Sequence, residues 1–142
     1  MATSESLRRQ HNELLREIAG LVKSLSAGAL RTEAERAAER LSRLSGKLSV
    51  HVESEVDSLK EALSRRMGES HRADACRFID DMEITLASFT AYRLKWGDPG
   101  SIRANPVGFM YETRMFFYVM AKMIEREDRG LYSLLDRLRP AA

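Results

Sequence analysis

Apolar side chains recur along this chain at alternating steps of three and four, the spacing that places them on one face of an α-helix. From about Ser4 to Leu25 the stripe is Leu7, His11, Leu14, Ile18, Leu21 and Leu25. Ser4 or Ser6 suits the N-cap, and Ser26, Ala27 and Gly28 make a stop and a turn. A second stripe, from about Thr32 to Arg65, holds Ala34, Ala37, Leu41, Leu44, Leu48, His51, Glu55, Leu59 and Ala62. Thr32 with Glu35 fits a capping box, Gly46 argues against a straight rod, and Gly68 marks the next corner. The third, roughly Glu69 to Lys95, carries His71, Ala75, Ile79, Met82, Leu86 and Phe89. It ends in Trp96-Gly97-Asp98-Pro99-Gly100-Ser101, which predicts the longest loop over residues 96–105, before Asn105 and Pro106 restart a helix as N-cap and first-turn proline. The fourth, about Pro106 to Arg139, places Phe109, Thr113, Phe116, Met120, Met123, Glu127, Leu131, Leu134 and Leu138 inward. Phe117, Tyr118, Val119 and Ile124 widen it, enough to wrap two neighbouring helices or to leave a strip for a second copy or another protein partner.

Four such stripes joined by short connections predict an all-α fold, an up-down-up-down antiparallel four-helix bundle occupying residues 1–142 as one domain. Composition agrees: three prolines and eight glycines in 142 residues leave little material for turns or strands. A weak internal echo relates His51-Val-Glu-Ser-Glu55 to Met123-Ile-Glu-Arg-Glu127. The 23 Lys and Arg stand against 21 Asp and Glu without a basic block, and the arginines from Arg31 to Lys47 are interleaved with Glu33, Glu35 and Glu39. Nucleic acid is therefore not an expected partner. A single cysteine, no long apolar run and no signal-peptide core after Met1 point away from a membrane and toward the cytoplasm.

The chemistry lies in residues that break the stripes. His11, His51, Glu55, His71 and Glu127 all fall on faces that should be core, and these include every histidine in the chain. A glutamate that loses its hydration shell needs a cation or a raised pKa, and a metal ion is one such cation. Imidazole nitrogen and carboxylate oxygen suit iron, manganese or zinc. His51 and Glu55, one turn apart, can serve one centre. Each residue also has a plainer reading: a hydrogen-bonded core or bundle-end position for His11, an ion pair for His51 with Glu55, a capping or solvent-facing role for His71, and an arginine salt bridge for Glu127.

Other positions read as ordinary packing. Cys76 is expected to be a small buried hydrophobe, and Met82, Met120 and Met123 fill gaps. Tyr92, Trp96, Tyr111 and Tyr118 are packing or interface residues, and Arg36, Arg40, Arg43 and Lys47 form a solvated face. No phosphate loop and no Ser/His/Asp arrangement is present.

Taken together, His11 in His-Asn-Glu-Leu-Leu, His51-x3-Glu55, His71 at the head of the third segment, and Glu127 within Glu125-Arg-Glu-Asp-Arg-Gly-Leu-Tyr-Ser-Leu-Leu135 resemble a divergent hemerythrin-like domain. The resemblance spans almost the whole chain. It implies His11 and His51 as terminal ligands to one iron, and Glu55 and Glu127 as carboxylates bridging to a second. The chain departs from the pattern at Ala75 and Met123, where histidine ligands to that second iron belong. Three outcomes follow: a di-iron site completed by water or by a carboxylate such as Glu83, a mononuclear site using His11, His51, His71 and one or both glutamates, or a degenerate, metal-free bundle acting through protein contacts. The resemblance favours binding of iron and a small ligand such as dioxygen over turnover, with redox-active iron as the runner-up.

Overall fold

The computed structural model describes residues 4–65 and 68–138. Among them the chain is all-helical, with no strand: α1 (Ser4–Lys23), α2 (Ala27–Thr32), α3 (Ala34–Ser64), α4 (Glu69–Trp96), α5 (Pro99–Ala104) and α6 (Pro106–Arg137). The four long helices are the four periodic segments, with ends displaced by a residue or two. Arg139, the expected end of the last, lies outside the described residues.

Helices α1 and α4 each pack against both α3 and α6, and the inward stripes meet between them. Leu7, Leu14, Leu21, Leu41, Leu44, Leu59, Met82, Phe89, Phe109 and Phe117 are all essentially without solvent contact. Each such side chain contributes roughly 1.5–3 kcal/mol relative to remaining exposed. Side-chain contacts set the register. On α1 and α3, Lys47 pairs with Glu17 at 3.1 Å and Arg40 donates to the Gly20 carbonyl at 2.7 Å, so these two arginine-row residues tie helices together rather than only facing solvent. On α4 and α6, Phe78 lies against Gly130, Thr85 meets Met123 and Tyr92 meets Thr113.

Two connections are more ordered than the sequence suggests. The turn after α1 contains α2, whose N-cap Ser26 accepts a hydrogen bond from the Ala29 amide at 3.2 Å. Thr32 belongs to the end of that short helix, where its hydroxyl donates to the Gly28 and Ala29 carbonyls, so it does not form the expected capping box with Glu35. Glu33 precedes α3 without a side-chain cap. The expected loop over residues 96–105 contains α5, capped by Asp98, which accepts from the Gly100 amide at 3.2 Å, with proline in the first turn. Its Ile102 is fully buried, in the connection between Trp96 and Phe109, whose rings meet edge-on. Asn105 caps α6 as expected, accepting from the Gly108 amide at 3.0 Å.

Three further expectations change. Gly46 sits exposed inside an uninterrupted α3. Cys76 is exposed rather than buried, because Ala75 takes the inward position beside it. In α6, Phe117 and Ile124 occupy the core while Phe116 and Met123 are only half-buried. No helix among the described residues is long and apolar enough to cross a membrane.

Candidate metal centre

The polar residues on the apolar stripes converge where α1, α3 and α6 meet. His11 from α1, His51 and Glu55 from α3, and Glu127 from α6 are all buried, and one ligand atom from each lies within 4.8 Å of all the others. Nε2 of His11 is 3.3 Å from Oε2 of Glu127 and 3.6 Å from Oε2 of Glu55. Nε2 of His51 is 3.0 Å from Oε1 of Glu55. Metal–nitrogen and metal–oxygen bonds of about 2.1 Å place neighbouring ligand atoms about 3.0 Å apart in an octahedron and opposite ones about 4.2 Å apart. The donor atoms therefore already stand close to the spacing that one ion requires.

His51 supplies the most specific observation. Its Nδ1 is 2.8 Å from Oε1 of Gln10. An amide oxygen only accepts, so Nδ1 carries the proton and Nε2 is left with a bare lone pair. That Nε2 is buried and makes no hydrogen bond, although a carboxylate oxygen lies 3.0 Å away. Two lone pairs facing each other at this distance call for a cation or a proton between them. Burial pushes the imidazole pKa down to about 4, against the opposing pull of the Glu127 carboxylate, which keeps the ring in the neutral, metal-binding form. Burial also raises the pKa of Glu127, with the His11 hydrogen bond acting in the other direction.

Tyr132, fully buried on α6, was not legible as a site residue. Its hydroxyl donates to Oε2 of Glu55 at 3.0 Å and lies 2.8 Å from Nε2 and 3.0 Å from Nδ1 of His11. It is five residues beyond Glu127 and so off its stripe. Helical side chains lean toward the N-terminus, however, and a long phenol on this α6 face reaches back to the level of the carboxylates. The guanidinium of Arg8 lies 5.2 Å from the centre of its ring.

His71 is not brought into this group. It is half-buried near the start of α4. The contacts of Phe78 with Gly130 and Thr85 with Met123 put residues near 80 of α4 level with Glu127. His71 is nine residues short of that level, roughly 13 Å along the helix axis at 1.5 Å per residue. At the level of the cluster α4 presents buried Met82, while Glu83 beside it is exposed. Among the described residues, α4 contributes no member of the converging group.

Comparison with known proteins adds no assignment: no protein family, curated protein or solved structure matches this chain.

Proposed function

We propose that this protein is a metal-binding, divergent hemerythrin-like bundle of up-down-up-down topology that holds a single iron ion with His11, His51, Glu55 and Glu127. The observation that carries the reading is the bare, buried Nε2 of His51 facing Glu55 inside a set of four converging donors. The topology is supported by side-chain contacts that run in opposite chain directions between neighbouring helices, as in Lys47 with Glu17 and Thr85 with Met123. One ion is favoured over two because neither His71 nor α4 reaches the cluster. The two carboxylates neutralise a divalent charge in a dry site, and two neutral imidazoles with carboxylate oxygen form a donor set suited to ferrous iron.

Within this site Gln10 fixes the His51 tautomer, Tyr132 orients Glu55, and the surrounding leucines exclude water. Iron held by these four residues would supply Lewis acidity and one-electron chemistry toward a small ligand such as dioxygen. Metal analysis by mass spectrometry on untagged protein tests the reading. About one iron per chain is expected, lost in His51→Ala and Glu55→Ala. Protein free of metal after anaerobic reconstitution with ferrous salt overturns it.

A second reading, self-association, is supported by the outer face of α4 and α6. Ile84, Tyr111, Met115 and Val119 are each more than half exposed there. The groove they border has Asp81 and Arg126 at one end and Lys95 and Glu112 at the other. Acid and base thus alternate at four corners, a pattern that complements itself when a two-fold axis turns one copy onto another. A second copy of this chain is the occupant this arrangement fits.

A further inference from the structure

We infer that the seam between α3 and α4 carries a ligand site separate from the converging donors, a cleft that binds a small organic carboxylate with a short apolar tail at Arg93. The cleft has a volume of about 300 Å³, and Arg93 is the only charged group among the described residues that line it. Its guanidinium reaches across to α3, where Nη1 donates to Oγ of Ser45 at 3.0 Å. The other edge of this planar group pairs Nε with Nη2. That Nε–H is buried and meets no acceptor among the described residues. Buried donors in folded proteins are nearly always matched, so an unmatched one on a cationic group points to an anion as its acceptor. The Nε–Nη2 edge is a fork whose spacing fits the two oxygens of a carboxylate.

The rest of the wall selects what is attached to that carboxylate. Ser45 accepts from Arg93, which leaves its own O–H to donate, and Ser49 adds a second hydroxyl one turn further along α3. Thr90 adds no donor, because its hydroxyl already donates to the Leu86 carbonyl at 3.0 Å. The remaining surface is apolar: Phe89 is a buried part of the wall and Leu94, 86% exposed, an open part. A bare inorganic anion fills the fork but leaves Leu94 in water. An uncharged alcohol covers Leu94 but leaves the guanidinium without a counter-charge. Only a ligand that brings carbon together with a carboxylate gains from both. Arg93 is itself half-buried, which reduces the screening of such a pair while keeping a ligand in the cleft within its reach.

The test is a titration of the intact chain followed by proton–nitrogen NMR, with hexanoate as the probe. The Nε–H resonance of Arg93 is identified by its absence from Arg93→Lys. Hexanoate is expected to shift it together with the backbone amides of Ser49 and Leu94, whereas hexanol leaves it in place. Acetate, which lacks the tail, is expected to bind at least about tenfold more weakly. Arg93→Lys keeps the charge but loses the fork, and is expected to weaken hexanoate binding by about tenfold or more, read from the same amides. Ser49→Ala leaves the guanidinium in place and is expected to weaken it by about threefold. Circular dichroism of both variants checks that the fold is retained. An Nε–H that hexanoate does not move, or Arg93→Lys that binds as tightly as the wild type, overturns the site. Hexanol that shifts the resonance as hexanoate does overturns the carboxylate assignment, and acetate that binds as tightly as hexanoate overturns the apolar tail. The cleft shares no residue with His11, His51, Glu55 and Glu127, so these outcomes stand apart from iron binding.

Discussion

Gln10 and His51 are joined across α1 and α3 by a 2.8 Å contact that orders the imidazole at the edge of the cluster. The amide holds the ring in one tautomer and one orientation, with Nε2 toward Glu55. Outer partners of this kind commonly change metal affinity by about 10–100-fold. Gln10→Leu is therefore expected to weaken iron binding by that factor in a chelator competition titration while leaving the helical circular dichroism unchanged. Equal affinity in the variant and the wild type contradicts the tautomer argument.

The metal-free protein should become less stable on acidification, and His51 supplies the reason. Its pKa falls from 6.5 to about 4 on folding because burial penalises the charged ring. Between those values the unfolded chain binds the proton and the folded chain resists it, so stability drops as pH falls through that window. The full effect is on the order of 3 kcal/mol. Glu127 acts with the opposite sign: its raised pKa costs stability as pH rises above the ordinary glutamate range. Urea unfolding of metal-free wild type and His51→Gln between pH 4 and 7 separates the two. The variant is expected to lose the acid-side decline, and an unchanged slope contradicts the assignment to His51.

Four of the five candidate ligands were legible because they lie on long helices with an unbroken period of threes and fours. His11, Glu55 and Glu127 each have apolar neighbours one turn away on both sides, and His51 follows buried Leu48 by one turn on the same stripe; those neighbours fix the direction of the side chains. His71 shares a face with Ala75, but a face does not specify height along the bundle. That height depends on how α4 slides against α6, which is set by contacts such as Phe78 on Gly130 that no single-helix pattern contains. Tyr132 was hidden for a related reason. Its backbone is off the Glu127 stripe, and only the reach of the phenol brings its oxygen to Glu55. The short helices α2 and α5 were missed because a period cannot be seen in six residues, although Ser26 and Asp98 stood in the right places to cap them.

Stability and metal binding are expected to separate at Ile102. This fully buried side chain lies on α5, in the connection between α4 and α6, whereas His51, Glu55 and Glu127 lie in the far halves of α3 and α6. Burial of an isoleucine followed by truncation to alanine usually costs about 2–5 kcal/mol. Ile102→Ala is expected to lower the unfolding free energy by that amount in urea while retaining wild-type iron stoichiometry below its transition. Loss of iron in a protein that remains folded contradicts the separation.

Self-association is the property most open to a surface substitution, because Met115 is about half exposed and Val119 more so at the middle of the α4–α6 face. Changing an exposed residue to glutamate usually alters the stability of a monomer by less than about 0.5 kcal/mol. Placed at the centre of an apolar contact between two copies, the same change brings like charges together without water, once from each copy. Met115→Glu is therefore expected to convert a dimer to a monomer in light scattering coupled to size exclusion, with thermal unfolding of the monomer little changed. The corner charges give a second handle: Lys95→Glu should weaken the dimer and Lys95→Glu with Asp81→Lys should partly restore it if α4 lies against α4 of the other copy. A wild type that is monomeric at high protein concentration contradicts the dimer reading and leaves the metal centre untouched, since none of these residues belongs to the converging group of His11, His51, Glu55 and Glu127.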